Sequence, residues 1–100
     1  MIKFSISGKD YVLKFQHRLA LGTFENTKRH KPLDEEQSKH HRGITYATLE
    51  AGGEKTTGEA KCSWDDPFNY EIGRTLALTR ALTIYPREFR KLVWTAYSGV

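Results

Sequence analysis

The chain has 100 residues, with 16 basic and 12 acidic side chains and a formal net charge of +4. This is the usual length of one domain, and a second independent core would not fit. The single cysteine excludes an internal disulfide and a cysteine-based zinc site. No apolar run approaches the roughly 20 residues that cross a membrane, and no secretory signal opens the chain. We therefore expect one domain over residues 1–100, in the cytoplasm and without a membrane partner.

Two β-hairpins are predicted from the alternation of apolar and polar residues. Residues 2–16 alternate on both sides of a turn that contains Gly8. Residues 44–63 hold a strand rich in β-branched and aromatic side chains, a turn at Gly52 and Gly53, and a further strand. Hairpins of this kind pair their strands antiparallel.

Two helices, at residues 67–82 and 86–97, are predicted after the hairpins. Asp65 and Asp66 are candidate N-caps for the first helix, with Pro67 at its first position. A helical wheel of this segment shows one apolar stripe. The stripe consists of Phe68, Ile72, Leu76, Leu78 and Leu82. The expected fold class is α+β: a four-stranded antiparallel sheet made of two hairpins, with two C-terminal helices packed on one face.

The polar stretch at residues 19–43 has no clean period, although a short helix could form from Leu33 to Lys39. A connection of this length in a compact domain is often functional. Its two dense basic clusters suggest a partner-binding surface for an acidic protein face or for nucleic acid. A solvated loop whose charges partly cancel is the equally open alternative. The candidate binding residues in this loop are Lys28, Arg29, Lys31, Lys39 and Arg42.

Two aromatic residues, Tyr70 and Trp94, are candidate anchors for the same partner. Trp94 projects away from the centre of the apolar face of the second helix, so it either forms an exposed binding hot spot or packs against Trp64 or the loop. Gly73 lies within the first helix, where glycine costs up to about 1 kcal/mol relative to alanine. We favour tight packing of this helix on its own sheet over close approach of a partner backbone.

Three arginines on the helices, Arg74, Arg80 and Arg87, are secondary candidates for partner binding. Arg74 and Arg80 flank the apolar stripe and could bind a phosphate or a carboxylate in a bidentate manner. We favour the alternative that their stems lie along the rim of the core and that they pair with acids such as Asp65 or Glu71.

Catalytic and metal chemistry have little support in the sequence. The adjacent pair His40 and His41 is poorly spaced for chelation of one ion, and no Cys-x-x-Cys or His-x-x-x-His spacing occurs. Nothing in the sequence orients Cys62 as a nucleophile, so we expect a small, buried apolar role for it. No catalytic triad or glycine-rich phosphate loop is present. The sequence favours a protein that is not an enzyme and that uses neither a metal nor another cofactor.

Residues 42–82 resemble a pattern found in small, mostly uncharacterised proteins of bacteriophages and related mobile elements. In that pattern a strand ends near a cysteine, and an Asp-x-Phe-Asn helix start, a Gly-Arg pair and an Ala-Leu-x-Arg-Ala-Leu run follow. The matching positions are Cys62, Asp66, Phe68, Asn69, Gly73, Arg74, Ala77, Leu78, Arg80, Ala81 and Leu82. The resemblance covers under half of the chain and implies an origin and a mode of packing more than an activity.

The leading functional hypothesis is a small viral binding protein that modulates or inhibits a host protein. Its most concrete version is an anti-defence protein, such as an inhibitor of a CRISPR nuclease. It rests on the resemblance, the small size and the polar loop. The alternative is an accessory protein that binds nucleic acid, which the basic clusters favour.

Overall fold

A computed structural model describes residues 1–21 and 31–99. The elements, in chain order, are β1 (Ile2–Ile6), β2 (Lys9–Leu19), α1 (Glu35–His40), β3 (Gly43–Ala51), β4 (Glu54–Cys62), α2 (Tyr70–Ala81) and α3 (Arg87–Ser98). The four strands form one antiparallel sheet in the order β1-β2-β3-β4. The predicted α+β fold, with two hairpins followed by two C-terminal helices, is confirmed.

Both hairpins turn on two residues whose backbone has positive φ. These are Ser7 (52°) with Gly8 (79°), and Gly52 (54°) with Gly53 (86°). Positive φ at both central positions gives the loop a twist that matches the right-handed twist of the strands. The turns therefore fix the register that starts with the pair Ile6 and Lys9 in one hairpin and Ala51 and Glu54 in the other.

Both C-terminal helices lie on the same face of the sheet. The ring of Phe15 in β2 contacts Tyr97 of α3, with ring centroids 5.6 Å apart. Phe15 pairs with Ala47, which in turn pairs with Gly58. Directly paired residues project to the same face of a sheet. Gly58, which faces α2, therefore lies on the same face as Phe15, which contacts α3. The core between these layers is fully buried at Leu13, Ala47, Ala77, Leu78, Leu82 and Val93.

The backbone of α2 lies almost directly on the sheet at two points. A Cβ atom on Gly58 would overlap the backbone of Ala77 and Ala81, and a Cβ atom on Gly73 would overlap the hydroxyl of Thr45. The tight packing predicted for Gly73 is therefore confirmed. The helix can approach this closely only because the facing residues on both surfaces are small.

The predicted apolar stripe of the first C-terminal helix is wrong on one side, at Ile72 and Leu76. Leu78 and Leu82 are fully buried as expected, but Ile72 is 59% exposed and Leu76 is 44% exposed. A helical wheel identifies the packing face by its large apolar residues. Close contact with Gly58, in contrast, is possible only for small residues of the helix. Ile72 and Leu76 are too large for that contact and lie at the side of the helix.

The first helix also begins later than predicted, at Tyr70 and not at residue 67. Its N-cap is Asn69, whose side chain accepts a hydrogen bond from the backbone N–H of Ile72 at 3.0 Å. Asp66 instead accepts from the Ser63 hydroxyl at 3.2 Å in the preceding turn. Neither predicted cap acts as one, because Asp65 and Asp66 lie in the turn after β4 and the helix begins only at Tyr70.

The described parts of the predicted loop, residues 19–21 and 31–43, are more structured than their polarity suggests. The first residue of this loop ends β2, so the first hairpin extends beyond residue 16. The short helix expected in this stretch is present as α1. Leu33 is 1% exposed and packs with Ala20 and Ile44 in a small second core. Since Ile44 neighbours Thr45 in β3, this second core lies on the sheet face opposite α2.

Replacement of Gly58 by alanine should lower the free energy of unfolding by about 3 kcal/mol, because the new methyl group displaces the backbone of α2. Thr57→Ala is the matched control at the neighbouring exposed position, where the change should stay within about 1 kcal/mol. Urea denaturation followed by circular dichroism measures both. Equal stability of the two variants would show that α2 does not rest on Gly58.

Candidate docking groove

An open cavity of about 340 Å³ lies between α2, the end of β4 and the turn that connects them. We call it the α2–β4 groove. Its lining residues are Lys61, Cys62, Asp66, Pro67, Phe68, Asn69, Ile72, Gly73 and Leu76.

The groove exists because α2 crosses the sheet at an angle. The C-terminal half of the helix lies on Gly58 of β4, whereas Gly73, near its start, lies on Thr45 of the neighbouring strand β3. The helix therefore leaves β4 as it runs back toward its N-terminus. The end of β4 at Cys62 stays uncovered on this face.

The walls of the groove are apolar and open to solvent. Ile72 and Leu76 stand one helical turn apart, which places both on one side of α2. The ring of Phe68 is half-buried at the end of the groove and fills the space above Gly43, where a Cβ atom would overlap it. Exposed large apolar side chains grouped around a concavity mark a contact surface more often than exposed residues scattered singly.

The polar rim of the groove is fixed by local hydrogen bonds. The Asn69 carbonyl oxygen is engaged in the N-cap, and the Asp66 carboxylate accepts from Ser63. The Cys62 thiol lies 3.5 Å from the carbonyl oxygen of Ser63 and 3.6 Å from that of Asp66. A half-buried Cys62 held in this way agrees with a packing role, although it is less buried than expected.

Strand β4 is also an edge of the sheet, and its middle is protected against pairing with another strand. The Arg80 guanidinium donates to the carbonyl oxygen of Glu59 at 2.6 Å. Exposed Lys55 and Lys61 lie along the same strand, and such charges oppose edge-to-edge association. A partner that approaches this side of the molecule would therefore contact the groove and not the backbone of β4.

Of the five basic residues predicted to bind a partner, the structure describes Lys31, Lys39 and Arg42. Lys28 and Arg29 lie outside the described residues. Lys31 and Lys39 are exposed, and the Lys39 ammonium is 3.8 Å from the carboxylate of Glu36. An exposed pair of this kind contributes little energy, so Lys39 stays accessible.

Arg42 has a structural contact that the sequence did not reveal. Its guanidinium lies 5.6 Å from the centre of the Trp64 ring, and it donates to the Trp64 carbonyl oxygen at 3.2 Å. The Trp64 indole in turn donates to the Ser38 carbonyl oxygen at 2.9 Å. These contacts join α1 to the turn after β4, which makes Arg42 part of the fold as well as of the surface.

The two predicted aromatic anchors differ in their surroundings. Tyr70 is 37% exposed, and its ring packs edge-on against His17 at 4.6 Å and Phe68 at 5.0 Å, next to the groove. Trp94 is half-buried and packs against Tyr97 at 5.9 Å at the margin of the main core. Of these two residues, only Tyr70 is near the groove.

The three secondary arginines lie on different sides of the helices. Arg80 reaches the backbone of β4, and Arg87 is exposed at the start of α3. Arg74 lies on the opposite side of α2 from the groove and is half-buried. Within residues 1–21 and 31–99, neither Arg74 nor Arg80 forms an ion pair with an acid. The predicted pairing with Asp65 or Glu71 is therefore wrong.

No protein-family model, curated protein or solved structure matches the chain. In the described ranges, no helix is long and apolar enough to cross a membrane. The same ranges hold no group of three or more histidine, cysteine, aspartate or glutamate side chains placed to bind a metal ion.

Replacement of Arg42 by serine should lower the free energy of unfolding by about 1–2 kcal/mol, because it removes the contact with the Trp64 ring and a hydrogen bond to its carbonyl. The matched control Lys39→Ser should change it by less than about 0.5 kcal/mol. Thermal denaturation compares the two, and the fluorescence of Trp64 should change only in the Arg42 variant. Equal stability of the Arg42 and Lys39 variants would show that Arg42 does not stabilise the fold.

Proposed function

We propose that this chain is a binding protein that attaches to another protein through the α2–β4 groove. The observation that carries the proposal is the exposure of Ile72 and Leu76 beside a concave apolar surface. The helix that bears them packs on the rest of the protein through other residues, Ala77, Leu78 and Ala81. The two large side chains thus contribute little to the fold and are available for a partner.

The energetics suit a small contact with an apolar centre. Complete burial of a leucine or isoleucine side chain contributes about 1.5–3 kcal/mol, and these two side chains are each roughly half exposed. A partner side chain that enters the groove would also cover Phe68. Such a buried centre with a polar rim is the arrangement that carries most of the energy in protein interfaces.

The proposed partner is a host protein, and the proposed effect is inhibition by occupancy without catalytic turnover. The resemblance to small proteins of bacteriophages supports this choice, because five residues of that pattern line the groove: Cys62, Asp66, Phe68, Asn69 and Gly73. The most concrete version is an anti-defence protein that acts in the host cytoplasm on a target such as a CRISPR nuclease.

Direct binding of nucleic acid is the alternative function, and the experiment must distinguish it from binding of a protein. Of the five basic residues predicted to bind it, Arg42 is engaged with Trp64, whereas Lys31 and Lys39 are exposed. Nucleic-acid affinity depends on several free cations and falls steeply with salt, whereas an apolar contact persists.

The test is capture of host proteins by the tagged chain, with and without nuclease and at two salt concentrations. Ile72→Glu with Leu76→Glu is the groove variant, and Thr75→Glu with Thr79→Glu is the control on the same helix with equal added charge. The captured protein is then titrated against each purified variant. We expect the groove variant to bind at least about 100-fold more weakly, because two buried contacts are replaced by charges.

Two results would contradict the proposal. One is equal affinity of the groove variant and the parent for the captured protein. The other is capture that disappears on nuclease treatment, which would favour the nucleic-acid alternative. Circular dichroism of both double variants confirms that each is folded before the affinities are compared.

A further inference from the structure

A second concavity, of about 400 Å³, lies on the other side of α2. We call it the Arg74 pocket. It opens where α2, α3 and the start of β1 meet, and its lining residues are Met1, Ile2, Phe15, Arg74 and Tyr97. It shares no lining residue with the α2–β4 groove. A ligand in the Arg74 pocket would therefore be independent of the proposed function.

Arg74 brings a positive charge to this pocket without a partner for it. The side chain is half-buried. Within the described part of the chain its guanidinium has no hydrogen bond and no ion pair, although Glu71 lies one turn earlier on the same helix. None of the residues that line the pocket has an acidic side chain. A guanidinium that no acid engages can bind an anion.

The other walls of the pocket are aromatic and rigid. The rings of Phe15 and Tyr97 lie 5.6 Å apart at an angle of 57°. Tyr97 is itself held by Trp94, with ring centroids 5.9 Å apart. Rings fixed in this way offer apolar surface to a ligand at little entropic cost. The Tyr97 hydroxyl adds a neutral hydrogen-bonding group.

The ligand charge follows from Arg74, the one residue in the lining of the pocket with a charged side chain. Its planar fork binds a carboxylate through two parallel hydrogen bonds. A phosphate dianion is usually held by several cations or by the backbone N–H groups at a helix start. Arg74 is the fifth residue of α2 and lies beyond the first turn, so it is not accompanied by the backbone N–H groups of the helix start. Its side chain supplies only the guanidinium fork.

We propose that the Arg74 pocket binds a carboxylate attached to an aromatic or apolar body. Arg74 holds the carboxylate, and the rings of Phe15 and Tyr97 pack against the body. Two sources can present this chemistry: a small aromatic acid, and the C-terminal carboxylate of a peptide that ends in an aromatic residue.

The test is a titration followed by NMR of the arginine Nε–H signals, assigned through Arg74→Gln. The probes are benzoate, its neutral isostere benzamide, and phenyl phosphate. We expect benzoate to shift the Arg74 signal with a dissociation constant of about 1 mM, as befits one ion pair and one ring. Benzamide should leave the signal in place, and phenyl phosphate should bind no more tightly than benzoate.

Three variants sharpen the result. Arg74→Gln should abolish the benzoate-induced shifts of the Phe15 and Tyr97 rings. Arg74→Lys, which keeps the charge and loses the fork, should weaken benzoate at least about fivefold. Arg87→Gln, a change at an exposed arginine on α3, should bind as the parent does. Benzoate shifts that persist in Arg74→Gln, or an Arg74 signal unmoved by benzoate, would overturn the proposal.

The two sources are separated by a pair of short peptides that end in phenylalanine, one with a free carboxylate and one amidated. Binding of the free acid at least about tenfold tighter than benzoate assigns the pocket to a peptide terminus. Equal or weaker binding assigns it to a small aromatic acid. Binding of the amidated peptide as tight as that of the free acid would contradict recognition of a carboxylate.

Discussion

The close approach of α2 to Gly58 is the contact on which the rest of the structure depends. No side chain separates the helix from β4 at this point, because a Cβ atom on Gly58 would overlap the helix backbone. Interiors are packed as densely as organic crystals, so the contact fixes the height and the rotation of α2 together. The small residues Ala77 and Ala81 face the sheet, and Ile72 and Leu76 lie to the side.

Both candidate sites follow from this placement. On one side of α2, the angle between the helix and β4 opens the α2–β4 groove, which Ile72 and Leu76 border. On the other side, Arg74 faces the space between the two C-terminal helices. The sequence motif that contains Asn69 and Gly73 specifies part of this geometry, since Asn69 caps the helix and Gly73 admits Thr45. That motif is thus a packing signature.

Most of the fold could be predicted from the sequence, because strand alternation, the two glycine turns and the two helical segments are local patterns. The rotation of α2 could not be predicted, since it is set by a glycine on a strand that is distant in sequence. Because the exposure of Ile72 and Leu76 depends on that rotation, the sequence did not reveal it. The predicted site residues were therefore mainly charged ones. Arg42 could not be recognised as a packing residue, because its partner Trp64 is 22 positions away. The sequence did contain a signal for the groove. The small residues of α2 share one face of the helix, and Ile72 does not lie on that face.

The most direct test of this account is the solvent exposure of individual methyl groups on and beside α2. A soluble gadolinium chelate accelerates the relaxation of exposed methyl protons in NMR spectra and leaves buried ones unaffected. The account predicts strong relaxation enhancement at Ile72 and Leu76 and little at Leu78 and Leu82. Protection of Ile72 and Leu76 to the level of Leu78 would contradict it, because α2 would then face the sheet with its large residues and no groove would exist.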